Sequence, residues 1–184
     1  MARFLTGIAL VLFSLGLAVP AFAQILPFEV RGGVSASGVT DSGVNMFDPS
    51  RLRDANVELL YAVPDLSAWA VLGELRPHLG GTMSFTGQEN LIYGGLSWTV
   101  RAPLLPVWGE ASLGGGWQSG ALQPAGTPTR FGCAVVARAA ATVGVDVLPG
   151  ASVMATLSHL TDFGACNQPN NGRTDLGLRV GIRF

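Results

Sequence analysis

His159 and Thr161 put an imidazole and a hydroxyl two residues apart in the segment 152–162. They continue the parity of Val153, Ala155 and Leu157, so in an extended strand they stand on its apolar face. An imidazole offers acid–base chemistry near neutral pH. On a face turned to lipid, an ionisable side chain is costly enough to mark a functional position by default. The competing reading is that the strand has already left the apolar layer, which makes His159 an interfacial or loop residue. The other histidine, His78, sits beside Pro77 with the parity of Glu74 and Arg76, and reads as a structural residue of the polar face near one end of its strand. Everything therefore depends on what the apolar faces of this chain meet.

The chain opens with Arg3 and an apolar run over 4–19, followed by Pro20-Ala21-Phe22-Ala23. This pattern is that of a secretory signal peptide over 1–23, with the folded domain over 24–184. A spanning helix is the weaker reading, because the run is short and ends in small residues rather than a basic flank. No Cys follows the cut, so no lipoprotein anchor is expected. Hydrophobic residues are 48% of the chain and charged residues 12%, against about 25% charged in an average soluble protein. Mean hydropathy is +0.41. After residue 23 no stretch reads as a membrane helix. A greasy exported chain without such helices has to satisfy its backbone between strands that close on themselves. There is no Lys, and the net charge is −1, so nucleic acid is not an expected partner. In an exported chain Cys133 and Cys166 are expected to pair. No cation beyond His159 lies nearby to activate a thiol. The residue set calls for no metal and no cofactor.

The strand pattern is clearest at the end. Leu176, Leu178, Val180, Ile182 and Phe184 alternate with Gly177, Arg179, Gly181 and Arg183. The same period of two recurs upstream around Phe28–Ser37, Val57–Val63, Glu74–Phe85, Ile92–Arg101, Val107–Gln118, Val135–Asp146 and Ser152–Ser158, which makes eight candidate strands. Strands of about 9–11 residues cross an apolar band when tilted. Glu29, Arg31, Glu58, Glu74, Arg76, Arg101, Glu110, Arg138, Asp146, Arg179 and Arg183 fall on the polar parity. A soluble sandwich would show that face to water. A narrow eight-stranded barrel turns it inward, where mixed Arg and Glu must pair and fill the lumen. The expected fold is therefore all-β, an eight-stranded antiparallel transmembrane β-barrel with a filled polar interior, and no open pore. Turns at 64–65, 103–106 and 149–150 are expected on the periplasmic side, and the connections 39–51, 86–89, 119–129 and 163–172 outside the cell. Tyr61, Trp98, Trp108 and Trp117 read as interface or packing aromatics.

Ser158-His159-Leu160-Thr161-Asp162, followed by Gln168-Pro169-Asn170-Asn171-Gly172 and the final alternating strand, resembles the lipid A 3-O-deacylase (PagL-like, acyloxyacyl hydrolase) family. Arg76-Pro77-His78-Leu79-Gly80 and Tyr93-Gly94-Gly95-Leu96-Ser97-Trp98 are also similar to related members. The resemblance implies an eight-stranded barrel in the bacterial outer membrane that hydrolyses an ester-linked acyl chain of lipid A in lipopolysaccharide, at a site on its membrane-facing surface. The family motif is His-x-Ser-Asn with a later Glu. By this match His159 is the general base, Thr161 the nucleophile in place of Ser, and Asp162 stands where an Asn supports the oxyanion. The acid falls near Thr174 or Asp175; Asp175 is the carboxylate, and a bulge after Gly172 would turn it outward. The departures matter. The extra methyl of Thr restricts χ1, and a carboxylate repels a developing oxyanion where a donor would contribute a factor of about 10²–10³. The alternative is a catalytically degenerate barrel with a structural or interaction role. Implied partners are lipopolysaccharide and outer-membrane lipids, with room for a homodimer. A Cys133–Cys166 disulfide would pin the loop after His159.

Overall fold

The computed structural model describes residues 27–40, 45, 48–63, 73–87, 89–120, 133–166 and 172–184. The expected signal peptide lies outside the described residues. Eight strands run in chain order: β1 Phe28–Ser37, β2 Leu52–Tyr61, β3 Glu74–Ser84, β4 Leu91–Arg101, β5 Val107–Gln118, β6 Val135–Leu148, β7 Ala151–Thr161 and β8 Arg173–Arg183. Each pairs antiparallel with the next, and β1 closes onto β8, so the sheet is a closed barrel. Closure leaves no strand edge, which is what lipid demands of a β-structure. One end carries Phe28, Arg183 and the connections after β2, β4 and β6; the other, here the long-connection end, carries those after β1, β3, β5 and β7, including the segment that ends in a single 3-10 turn at Pro49–Arg51.

The barrel is inside-out relative to a soluble protein. Its lumen buries Arg31 (0% exposed), Arg76, Glu29, Glu58 and Glu110, whereas Val57, Leu79 (62% exposed), Ile92, Leu113, Val143 and Leu178 stand on the outer wall. The period-two pattern produces this directly, since alternate side chains leave opposite faces of the strand. Taking charges out of water is costly unless each finds a partner, and the lumen supplies them. Arg31 forks onto Glu110 at 2.6 and 2.9 Å and reaches Glu29 at 2.7 Å. Arg76 also binds Glu29, and it reaches Glu110 at 2.8 Å and Thr99 at 2.9 Å. Deeper in, Tyr93 donates to Glu58 at 2.8 Å while Arg138 stacks over its ring. Gly80 makes room for that ring: a Cβ there would meet Tyr93 Cζ at 2.5 Å.

His78 is a lumen residue as expected, buried, with Nδ1 3.0 Å from the Ser97 hydroxyl. Trp98, Trp117 and Tyr61 lie on the outer wall. Trp108 instead packs inward, donating to Asp146 at 3.1 Å beside Arg31 and Arg101. Between Asn56, Arg138, Ser158, Asp175 and Arg179 the lumen holds a small polar cavity of about 20 Å³, and a larger recess of about 330 Å³ lies against Glu29, Asp146, Ser152 and Arg183 at the end that carries Phe28.

Candidate functional site on the outer wall

The site is built where β7 and β8 approach the long-connection end. Their register runs without a shift from Ala151↔Ile182 to Leu160↔Arg173, and it sets His159 directly opposite Thr174. Both side chains have outward parity, as cross-strand partners share a face. His159 is exposed, and its Nδ1 lies 3.0 Å from Thr174 Oγ1. With the proton on Nδ1 donated to that hydroxyl, Nε2 is the basic nitrogen. Gly172 adopts φ +68° immediately before β8. A Cβ at this position would stand 2.8 Å from both Cε1 and Nε2 of His159 and 2.8 Å from the Leu160 carbonyl oxygen. Only glycine allows both the left-handed backbone and the close approach of the ring. On the other flank, β6 places Ala139 opposite His159 and Ala137 opposite Thr161, so small side chains border the pair.

Thr161 ends β7 on the same face as His159. Its hydroxyl accepts the Phe163 N–H at 3.1 Å, and no hydrogen bond joins it to the imidazole among the described residues. The chain then turns through Phe163 (φ +53°) and Gly164 (φ +73°).

The two acids matched by resemblance go elsewhere. Asp175 sits opposite Ser158 in a regular register, so the bulge expected after Gly172 is absent and the carboxylate stays in the lumen. Arg173 holds it there, with Nε at 3.0 Å and Nη2 at 2.9 Å, and ties the pair to Glu89 at 2.6 Å. The third position behind the imidazole is therefore filled by the Thr174 hydroxyl. Asp162 has the opposite parity to His159 and is buried. Its Oδ1 accepts the Gly164 N–H at 2.9 Å, while Oδ2 is a buried oxygen without a hydrogen-bond partner. It lies within 4.8 Å of the sulfurs of Cys133 and Cys166. Those cysteines form a disulfide with Cα atoms 5.8 Å apart, tying the start of β6 to the turn after β7. With both sulfurs bonded to each other, this trio is not a metal site. Sequence reasoning left out Arg173, whose i,i+2 spacing from Asp175 on the inward parity signals the pair, and named Gly172 only as part of the motif and the start of a bulge, not as the seat of the ring.

No protein-family model and no curated protein sequence matches the chain. Among solved structures it resembles the outer membrane enzyme PagL, with 18% identity, a TM-score of 0.59, and coverage of 85% of this chain and 99% of that one. It also resembles the N-terminal β-barrel domain of Pseudomonas aeruginosa OprF, with 12% identity, a TM-score of 0.57, and coverage of 85% and 96%. The Yersinia pestis outer membrane protein Ail aligns at 13% identity, a TM-score of 0.53, and coverage of 86% and 99%. The chain is a bacterial outer-membrane β-barrel. Its eight antiparallel strands, polar lumen and apolar wall are shared architecture. At these identities the likeness speaks to fold, so the chemistry of this outer-membrane barrel has to be argued from its own surface.

Proposed function

We propose that this barrel hydrolyses an ester-linked acyl chain of lipid A, with Thr161 as nucleophile and His159 as general base. The observation that carries the reading is an exposed imidazole on the apolar wall, oriented at Nδ1 by Thr174, with a hydroxyl two residues along the same face. An ionisable group facing lipid needs a reason, and a substrate dissolved in the outer leaflet supplies one. The long-connection end then faces outside the cell, and the scissile ester meets the wall near that end.

Rotation about χ1 moves the Thr161 hydroxyl from the Phe163 N–H toward Nε2. The imidazole takes the proton as Oγ1 adds to the acyl carbonyl. The tetrahedral intermediate collapses, and the sugar oxygen leaves with the proton from Nε2. Water, deprotonated by the same nitrogen, then releases the acyl group from Thr161. The products are a free hydroxy fatty acid and a lipid A lighter by one chain. Asp162 points toward the disulfide and not toward His159, so oxyanion donors have to be backbone N–H groups.

A second reading is a barrel of the same build without chemistry. It is favoured by the engagement of the Thr161 hydroxyl with Phe163 and by the capture of Asp175 by Arg173. Mass spectrometry of lipid A incubated with the refolded barrel separates the two. Loss of one acyl chain by wild type and not by His159→Asn supports the deacylase. Unchanged lipid A across several acylation patterns, with the barrel demonstrably folded, selects the structural role.

A further inference from the structure

Two side chains able to carry a positive charge have outward parity among the described strand residues, and His159 is one of them. The other is Arg53, the second residue of β2, which alternates with inward Asp54 and shares its face with Ala55, Val57 and Leu59. Every other strand Arg, Asp and Glu described belongs to the inward set. The side chain of Arg53 is held in place. Its Nε donates to the Ser50 carbonyl oxygen at 3.4 Å, and the Ser50 N–H is bound at 2.9 Å by Asp48, the cap of the 3-10 turn. The backbone carbonyl of Arg53 accepts the Phe85 N–H at 2.7 Å, which places an aromatic that is 66% exposed beside it on the wall. No carboxylate lies within ion-pair distance of Arg53 among the described residues, and the nearby carboxylate of Asp48 is engaged by the Ser50 N–H. An aromatic and a guanidinium together at the end of the apolar band mark headgroup level. There the anion that suits a planar fork is a phosphate.

We infer that Arg53 binds a phosphate of an outer-leaflet lipid headgroup and thereby selects phosphorylated lipid for the wall that carries His159. The two residues sit at the same end of their strands, three strand spacings apart through β8 and β1, roughly 15 Å round the barrel. A lipid with several acyl chains and an anionic sugar headgroup can cover that span, with its ester at His159 and its phosphate at Arg53. This takes its lipid from the proposed function, but it needs no turnover, so the two can fail separately.

The test is lipid binding by the refolded full chain in neutral maltoside micelles, read by native mass spectrometry in a Thr161→Ala background so that no lipid is consumed. Arg53→Gln is expected to weaken binding of lipid A about tenfold, as loss of a charge-assisted hydrogen bond implies, and to leave binding of chemically dephosphorylated lipid A unchanged. Arg53→Lys should keep part of the preference, as a point charge without the fork. Equal losses on both lipids, or no loss on either, overturn the inference. Inorganic phosphate alone should produce no saturable shift of the Arg53 Nε resonance; saturation would assign a free-anion site and overturn the lipid headgroup. Heat-modifiable gel mobility reports folding of each variant. Phosphate-dependent binding without any acyl loss in the Thr161 parent would leave this inference standing and remove the deacylase.

Discussion

The imidazole of His159 and the hydroxyl of Thr174 meet at 3.0 Å across the β7–β8 ladder, on the outside of a barrel whose other histidine and whose described strand acids are turned inward. This pairing gives His159 an orienting partner without a charge. A carboxylate would also stabilise the imidazolium that forms when the base takes a proton; a hydroxyl orients the ring and contributes little to that charge. The deacylase reading therefore comes with an expectation of slow turnover.

His159→Asn should lower the rate of acyl release by a factor of about 10²–10⁴, the usual contribution of a positioned acid–base group. Thr161→Ala should remove the covalent route entirely. Release of fatty acid from micellar lipid A, timed by mass spectrometry, measures both.

Replacing Thr174 with Glu should raise kcat, because the side chain keeps its outward place opposite His159 and brings a carboxylate to Nδ1. Thr174→Val should lower kcat by about tenfold by leaving the ring unoriented. If T174E and T174V behave alike while both fold, Thr174 plays no positioning role.

Gly172→Ala should cost about 1 kcal/mol in backbone strain at φ +68°. It should also push the ring off its seat, since the added methyl overlaps Cε1 and Nε2. Activity should fall well beyond the modest drop in unfolding midpoint. Urea denaturation in lipid vesicles and the lipid A assay together provide the comparison.

In the lumen, Arg31→Met removes one of the guanidiniums shared by Glu29 and Glu110, which it pairs at 2.7 and 2.6 Å and which Arg76 also binds. Leaving the buried carboxylates in excess over their partners should destabilise the barrel by about 3–5 kcal/mol. The midpoint of urea unfolding should fall accordingly. The wild type should show no steady conductance in planar bilayers, because charged side chains fill the interior.

Substituting both Cys133 and Cys166 with Ser should cost about 3–4 kcal/mol against the unfolded chain, the loop-entropy value for a separation of 33 residues. The same change frees the turn that follows Thr161 at the end of β7. Thermal unfolding with and without a thiol reductant tests this, and the reductant should bring wild type down to the double variant.

The sequence by itself determined the faces. A strand alternates with a strict period of two, so each residue's side of the wall can be read once one residue is fixed. The outward set, the charged lumen, the outward place of His159 and Thr174, and the inward place of His78 were all legible. The alternation of Glu110, Ser112 and Gln118 also carried Trp108 inward, to its bond with Asp146. Register, in contrast, depends on how neighbouring strands slide and on whether a bulge intervenes, and periodicity within one strand says nothing of either. Only the closed structure decided that Thr174 faces His159, that β8 begins without a bulge, and that Arg173 keeps Asp175 in the lumen. It also decided that Asp162 lies beside the disulfide and that Gly172 bears the imidazole, because loop closure brings together residues whose separation in the chain carries no geometric signal.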